Sequence, residues 1–288
     1  MARVDFMGQQ LYGVLSGGSL VPSSALGEDL PEELIELLTS EVLMSGAFRQ
    51  AIETLGASSS SRVPLSQARL LAPLPRPGKI VCLGRNYREH AEEAGTSPPK
   101  ELMIFMKPAT AVAGPYDGIE YPSITRSLDY EGELAVVMGR RCKRVEPEDS
   151  LDCVLGYMVF DDVSARDLQF GDGQWTRGKG CDTFAPMGPW ITTLDELNDP
   201  LSLRLKTWVN GDLRQDASTS SMIKNVPEIV STLSQGMTLE AGDVIATGTP
   251  AGVGYHWRPE PRLLSPGDVV KIEIEGLGYI ENRVVGGG

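Results

Sequence analysis

The sequence predicts an α+β protein whose main body, from residue 73 onward, is β-rich and rolled or barrel-like, preceded by a small N-terminal unit over 1–72. Three observations predict it. Short apolar, β-branched runs recur at 79–84, 102–107, 134–138 and 153–160, punctuated by glycine, proline and charged residues. Residues 203–209 alternate in polarity and end at Asn210-Gly211, a strong hairpin signal. The stretches 239–245 and 264–270 repeat one design, a tight turn around Gly-Asp that feeds a strand.

A chain of 288 residues suits one large domain with a small appendage and buries an ample core. Its formal net charge of −13 argues against nucleic acid and against an anionic membrane surface as partner. No apolar run is long enough to span a bilayer, and residues 1–20 lack the apolar centre of a signal peptide. The four cysteines (Cys82, Cys142, Cys153, Cys181) contain no C-x-x-C pair, which fits a reduced, cytoplasmic setting. With only His90 and His256 as imidazoles, any metal must be held mainly by oxygen, which points to Mg²⁺ or Mn²⁺ over zinc.

In chain order, the N-terminal unit offers a weak strand near 11–15 and a helix opened by Pro31 and running through Leu38. A second helix over 47–55 and a Ser-rich linker at 56–61 follow, none of it suggesting chemistry. Pro73, Pro75 and Pro77 mark the entry to the main domain, 73–288. The strand at 79–84 leads through Arg85, Asn86 and Tyr87 into a short helix that Gly95 ends. On it His90 and Glu93 share a face, as a surface pair or as a dyad in which the carboxylate fixes the imidazole tautomer and raises its basicity.

The strand expected over 129–139 sets Glu131 and Glu133 on one face with Gly132 between. Two such carboxylates lie on a solvated edge, share a proton, or flank a cation. The strand at 153–160 delivers Asp161 and Asp162 at its exit, with Asp161 a candidate cap for the turn that carries Arg166 and Gln169. Residues 173–180 imitate a phosphate loop. They end in Gly180 without a hydroxyl for Mg²⁺, and no apolar strand leads in, so the nucleotide reading is rejected. A helix with Pro227 in its first turn is expected over 226–234, and 247–254 is a small-residue loop able to approach a ligand closely. His256 reads as a surface or interface residue.

Taken in order, Gly84-Arg85-Asn86-Tyr87 with His90 and Glu93, then 129–133, 162–169, 178–184 and 247–254 resemble the fumarylacetoacetate hydrolase superfamily over about residues 73–285. The resemblance implies a mixed β-sandwich roll, with an N-terminal unit similar to the small variable domain of bacterial members, and usually a homodimer. It implies one divalent metal, Mg²⁺ or Mn²⁺ and sometimes Ca²⁺, on Glu131, Glu133 and Asp162. The substrate would be a small anionic 2-oxo acid. Arg85, Arg166, Gln169 and Thr249 would bind it, while His90, Glu93 and Lys179 would be catalytic. The activity implied first is hydrolysis of a C–C bond in a 2,4-dioxo acid, with His90 activating water and pyruvate released. The alternatives are decarboxylation or tautomerisation of oxaloacetate, isomerisation of an unsaturated 2-oxo diacid in aromatic catabolism, and non-catalytic oxoacid binding.

Overall fold

The computed structural model describes residues 1–25, 36–37, 62–197, 199 and 201–286. The helix expected at 47–55 and the linker at 56–61 lie outside them, and of the helix opened by Pro31 only Glu36 and Leu37 fall within, both helical. The N-terminal residues form a five-stranded sheet in the order β4-β3-β2-β1-β5: β1 Ala2–Phe6, β2 Gln9–Ser16, β3 Ser19–Pro22, β4 Val63–Pro64 and β5 Arg69–Leu71. Ala2, Val4, Leu20 and Val63 make its own small core, against which Trp190 of the main body packs.

The main body is built on two curled sheets. One has seven strands in the order β7-β6-β17-β11-β12-β14-β8. Its strands are β6 Ile80–Gly84, β7 Met103–Lys107, β8 Val112–Ala113, β11 Gly132–Met138, β12 Val154–Asp161, β14 Ala185–Thr193 and β17 Val244–Ala246. The second has five strands, β16-β15-β18-β19-β9: β9 Ile119–Tyr121, β15 Arg204–Val209, β16 Asp212–Ser218, β18 Val269–Ile274 and β19 Gly278–Gly286. β15 packs on β11, and β18 on β12, so the centres of the two sheets face each other. Every residue of β11 and β12 is buried, which is why both read as continuous apolar runs without alternation. A Cβ on Gly132 would fall 2.3 Å from Thr207 Oγ1, so the glycine between the two glutamates is what admits β15.

The hairpin forms as expected, with Asn210 (φ 52°) and Gly211 (φ 86°) both in the left-handed region that a tight two-residue turn demands. The two turn-and-strand units also form. Asp243 accepts from Glu240 N at 2.6 Å and Asp268 from Ser265 N at 2.7 Å. Their strands, β17 and β18, enter different sheets, so the repeated design serves both layers.

Among the described residues five helices decorate this frame: α1 Arg88–Glu93, α2 Pro147–Ser150, α3 Arg166–Gly171, α4 Thr176–Lys179 and α5 Val226–Gly236. α5 starts at a reciprocal cap in which Asn225 and Glu228 each bond the other's backbone N–H, with Pro227 in the first turn. No helix among the described residues is long and apolar enough to cross a membrane.

The long strand expected over 129–139 is interrupted. Leu128–Asp129 (β10) pairs with Ser164–Ala165 (β13), Tyr130 and Glu131 leave the ladder, and β11 begins at Gly132. The cause is local. The Asp129 carboxylate turns back to accept from Tyr130 N and from Gly254 N and Tyr255 N, while Glu131 N donates to Asp161 Oδ1 at 2.9 Å. That last bond also corrects the role expected of Asp161, which braces the Glu131 backbone and does not cap α3, whose N-cap is Ala165, without a side-chain hydrogen bond.

Candidate active site

Glu133 on β11, Glu131 just before it and Asp162 just after β12 converge because β11 and β12 are antiparallel neighbours, with Gly132 opposite Asp161. Each offers an oxygen within 4.8 Å of the others, and all three are buried. Glu133 Oε2 accepts from Gly248 N at 2.8 Å, but its Oε1 has no hydrogen-bond partner. Burial, then the charges of Asp162 and Glu131, raise the Glu133 pKa well above the usual carboxylate range.

Three cations meet these acids from the other elements. Lys179, at the end of α4, bridges Glu131 Oε2 (2.8 Å) and Asp162 Oδ2 (2.7 Å). Arg166, opening α3, reaches Glu131 Oε1 at 2.6 Å, Gln169 Oε1 at 3.0 Å and Asp129 Oδ2 through both Nε and Nη2. Lys107, at the end of β7, stands 2.7 Å from Asp162 Oδ1 while its donors go to the carbonyls of Val163, Lys179 and Phe184. Burial disfavours a charged Glu131, but Lys179 and then Arg166 outweigh it and hold its pKa below the usual range. Burial likewise opposes the Lys179 ammonium, and Asp162 and Glu131 outweigh it, so this lysine keeps its proton more firmly than a free one.

Above this floor opens a cavity of about 250 Å³. Arg85, His90, Glu131, Arg166, Gln169, Lys179 and Thr249 all line it, so seven of the ten residues predicted for the site face one space. Glu133 and Asp162 lie fully buried at its base, and Glu93 stands behind His90 with its carboxylate 3.4 Å from Nδ1. Both Glu93 oxygens also accept from Gly252 N, which ties α1 to the small-residue loop. Thr249 Oγ1 donates to Gly132 O (2.9 Å) and accepts from Gln215 Nε2 (2.8 Å), so its hydroxyl proton is already engaged.

His256 is not the plain surface residue the sequence suggested. It lines the cavity, its ring 5.9 Å from that of His90, on a turn fixed by the bonds from Gly254 N and Tyr255 N to Asp129. Burial, then the proximity of His90, push its pKa below the ordinary value. Phe170, Tyr255 and His256 meet in a row, tilted and then edge to face, and Phe105 and Trp175 also meet edge to face. Lys107, Asp129 and Gln215 were given no role in the site by the sequence reading. Lys107 left a trace there as a charge at the end of an apolar run, and Asp129 as the first residue of the 129–133 motif.

The donor set fits a hard divalent cation. All three convergent groups are carboxylates, and the buried Glu133 Oε1 is orphaned as a protein atom, which is costly unless an ion or a proton completes it. Glu131, Glu133 and Asp162 would hold that ion.

The Fumarylacetoacetate (FAA) hydrolase C-terminal model matches residues 79–285, which span both main sheets and every residue of the site. The chain belongs to the fumarylacetoacetate hydrolase family. Oxaloacetate tautomerase FAHD2B, mitochondrial, of Bos taurus is 42% identical over 272 residues, covering 94% of this chain and 85% of that protein. Oxaloacetate tautomerase YisK of Bacillus subtilis is 42% identical over 265 residues, covering 89% of this chain and 88% of its own length. Among solved structures, maleylpyruvate hydrolase from Sphingobium sp. SYK-6 in complex with manganese (II) ion and pyruvate superposes with a TM-score of 0.80 at 35% identity, over 99% of this chain and 100% of that one. The mixed β-sandwich roll expected from the motifs is therefore the fold of the chain.

Proposed function

We propose that the chain is a metal-dependent enolising enzyme whose main reaction is the keto–enol interconversion of oxaloacetate. The observation that carries this reading is the pairing of two unlike faces across one small cavity. Its floor is a carboxylate cluster with an unpartnered oxygen, and its roof is an imidazole backed by a carboxylate. Two relatives that align over most of the chain bear the name oxaloacetate tautomerase, which favours that reaction over the C–C hydrolysis the motifs suggested first.

A divalent ion, Mg²⁺ or Mn²⁺, held by Glu131, Glu133 and Asp162 would supply Lewis acidity to the 2-oxo group of the bound acid. The chain's own groups do the rest. Glu93 engages Nδ1 of His90, which leaves Nε2 of the same ring to take the proton from C3 or to return it. Lys179, whose proton is held tightly by Asp162 and Glu131, contributes a fixed positive charge where negative charge develops on the substrate oxygen. Arg166 keeps Glu131 and Gln169 in place, leaving the Gln169 amide N–H groups available to the substrate carboxylate. Phe105, Trp175 and Phe170 keep bulk water from the carbanion face.

A second reading, hydrolysis of an acylpyruvate or fumarylpyruvate type substrate, is favoured by the same His90–Glu93 pair, since a buttressed imidazole can also deprotonate water. One panel separates the two. Purified protein with Mn²⁺, and with EDTA, is given enolic oxaloacetate, fumarylpyruvate and acetylpyruvate. Metal-dependent ketonisation of oxaloacetate without pyruvate release is the expected result. Pyruvate release from a 2,4-dioxo acid, with no effect on oxaloacetate, would replace the tautomerase by the hydrolase.

A further inference from the structure

Every cation around the floor of the cavity is engaged by the protein itself: Lys107 and Lys179 by Asp162, Lys179 and Arg166 by Glu131, and Arg166 by Asp129. Arg85 is different. It lines the same cavity half-buried, yet among the described residues its guanidinium has neither a hydrogen-bond nor an ion-pair partner. The charged side chains near it do not supply one. Lys100 and Lys224 are cations, Lys224 pairs with Glu228, and Glu101 makes no ion pair with it.

Arg85 is also held in an unfavourable backbone conformation. Its φ is +58°, in the left-handed region that a long side chain rarely adopts. The next residue enforces it. Asn86 Nδ2 donates to Lys224 O and Thr247 O, Asn86 Oδ1 accepts from Lys224 N, and Asn86 O accepts from Ile223 N. Four bonds to two separate segments fix the turn, and Arg85 is thereby held in the lining of a cavity walled by Phe105, Trp175 and Phe170. A strained, partly desolvated and unpaired cation is a site built for an anion that the protein does not contain.

We infer that Arg85 anchors the second carboxylate of a dicarboxylic 2-oxo acid, and so makes the enzyme prefer diacids over monoacids of the same length. This rests on the enolisation reading, in which the first carboxylate docks over the carboxylate floor. The distal carboxylate of a four-carbon diacid then extends along the aromatic walls toward Arg85, a lining cation with no partner among the described residues. Planar, two-point recognition of a carboxylate is what a guanidinium offers and an ammonium does not.

The test compares acids that differ by one carboxylate. Exchange of C3 protons for deuterons in oxaloacetate and in 2-oxobutyrate is followed with the Mn²⁺-loaded native enzyme, Arg85→Gln and Arg85→Lys. Arg85→Gln is expected to cut the oxaloacetate-to-2-oxobutyrate ratio of kcat/KM by about 10- to 100-fold, mainly through KM, as loss of a charged hydrogen-bond partner implies. Arg85→Lys should recover part of that ratio. Dissociation constants for malate and 2-hydroxybutyrate, which cannot enolise in this way, should show the same loss of preference by calorimetry. An unchanged ratio, whether both substrates fall together or neither does, overturns the inference. If the native enzyme exchanges neither oxoacid, the enolisation reading fails, and the malate preference and its loss in Arg85→Gln still decide the role of Arg85.

Discussion

At the floor of the cavity the side chains of Glu131, Asp129, Asp162, Arg166, Lys179 and Lys107 are locked to one another through contacts of 2.6–2.9 Å that join residues 17–55 positions apart. At its mouth, Arg85 has no partner among the described residues, His90 meets Glu93 at 3.4 Å, and His256 meets His90 and Tyr255 ring to ring. The carboxylates Glu131, Glu133 and Asp162 stand on or beside the ends of fully buried strands, with Arg166 and Lys179 brought to them by short helices, and the mouth stands on a six-residue helix and short turns. The contrast separates two tasks. Reacting groups need fixed positions and fixed charge, which a low-dielectric, fully bonded floor supplies. Substrate choice needs groups left open to a ligand, and these lie where backbone is short and irregular.

The largest effect should come from breaking the floor without touching the cavity. Lys107→Met removes a fully buried ammonium from Asp162 and three carbonyls, and should cost about 3–5 kcal/mol in denaturant unfolding of the EDTA-treated protein. A loss under about 1 kcal/mol, the range of exposed pairs, would show that the floor is far less rigid than this. Next, Asp162→Asn should lower metal-dependent turnover by more than about 100-fold, since it alters a ligand and not merely a ligand's neighbour. Near-normal turnover at ordinary Mn²⁺ concentrations would take Asp162 out of the metal site.

At the mouth, His90→Ala should slow oxaloacetate ketonisation by about 100-fold while leaving Mn²⁺ binding unchanged, which separates roof from floor. A change below about tenfold would assign the proton transfer to another group. The smallest effect is a pH dependence of stability. Because burial holds the His256 pKa below its unfolded value near 6.5, the unfolded chain takes up a proton that the folded one resists. Stability should therefore fall as pH drops through about 6.5 toward the lower folded pKa, and His256→Gln should flatten that slope. An unaltered slope would mean that His256 titrates freely and does not feel the cavity.

What the sequence disclosed follows the same division. Glu131 and Glu133 two apart, and His90 and Glu93 three apart, are visible because their partners lie within one turn or one pleat. The buried strands were legible for the same reason, as was the Asn210-Gly211 hairpin. Asp129 was not, because its partners Arg166, Gly254 and Tyr255 lie 37–126 residues away and no periodicity marks them. Nor could the break at Tyr130 and Glu131 be read, since the competing acceptor Asp161 Oδ1, 30 residues on, meets that backbone only in the folded protein. His256 was misplaced because a histidine beside tryptophan in a proline-rich stretch has the composition of a surface loop, and only the anchoring of its turn to Asp129 brings it inward.

The central claim is that Glu131, Glu133 and Asp162 exist to hold one divalent ion. Titration of the metal-stripped protein with Mn²⁺, followed by electron paramagnetic resonance, tests it directly when the native chain is compared with Glu133→Gln. The account predicts one tight Mn²⁺ per chain in the native protein and a large loss of affinity in the variant, because Glu133 Oε1 is a buried oxygen with no hydrogen-bond partner among the described residues. Absence of tight binding in the native protein, or equal binding in the variant, would contradict it.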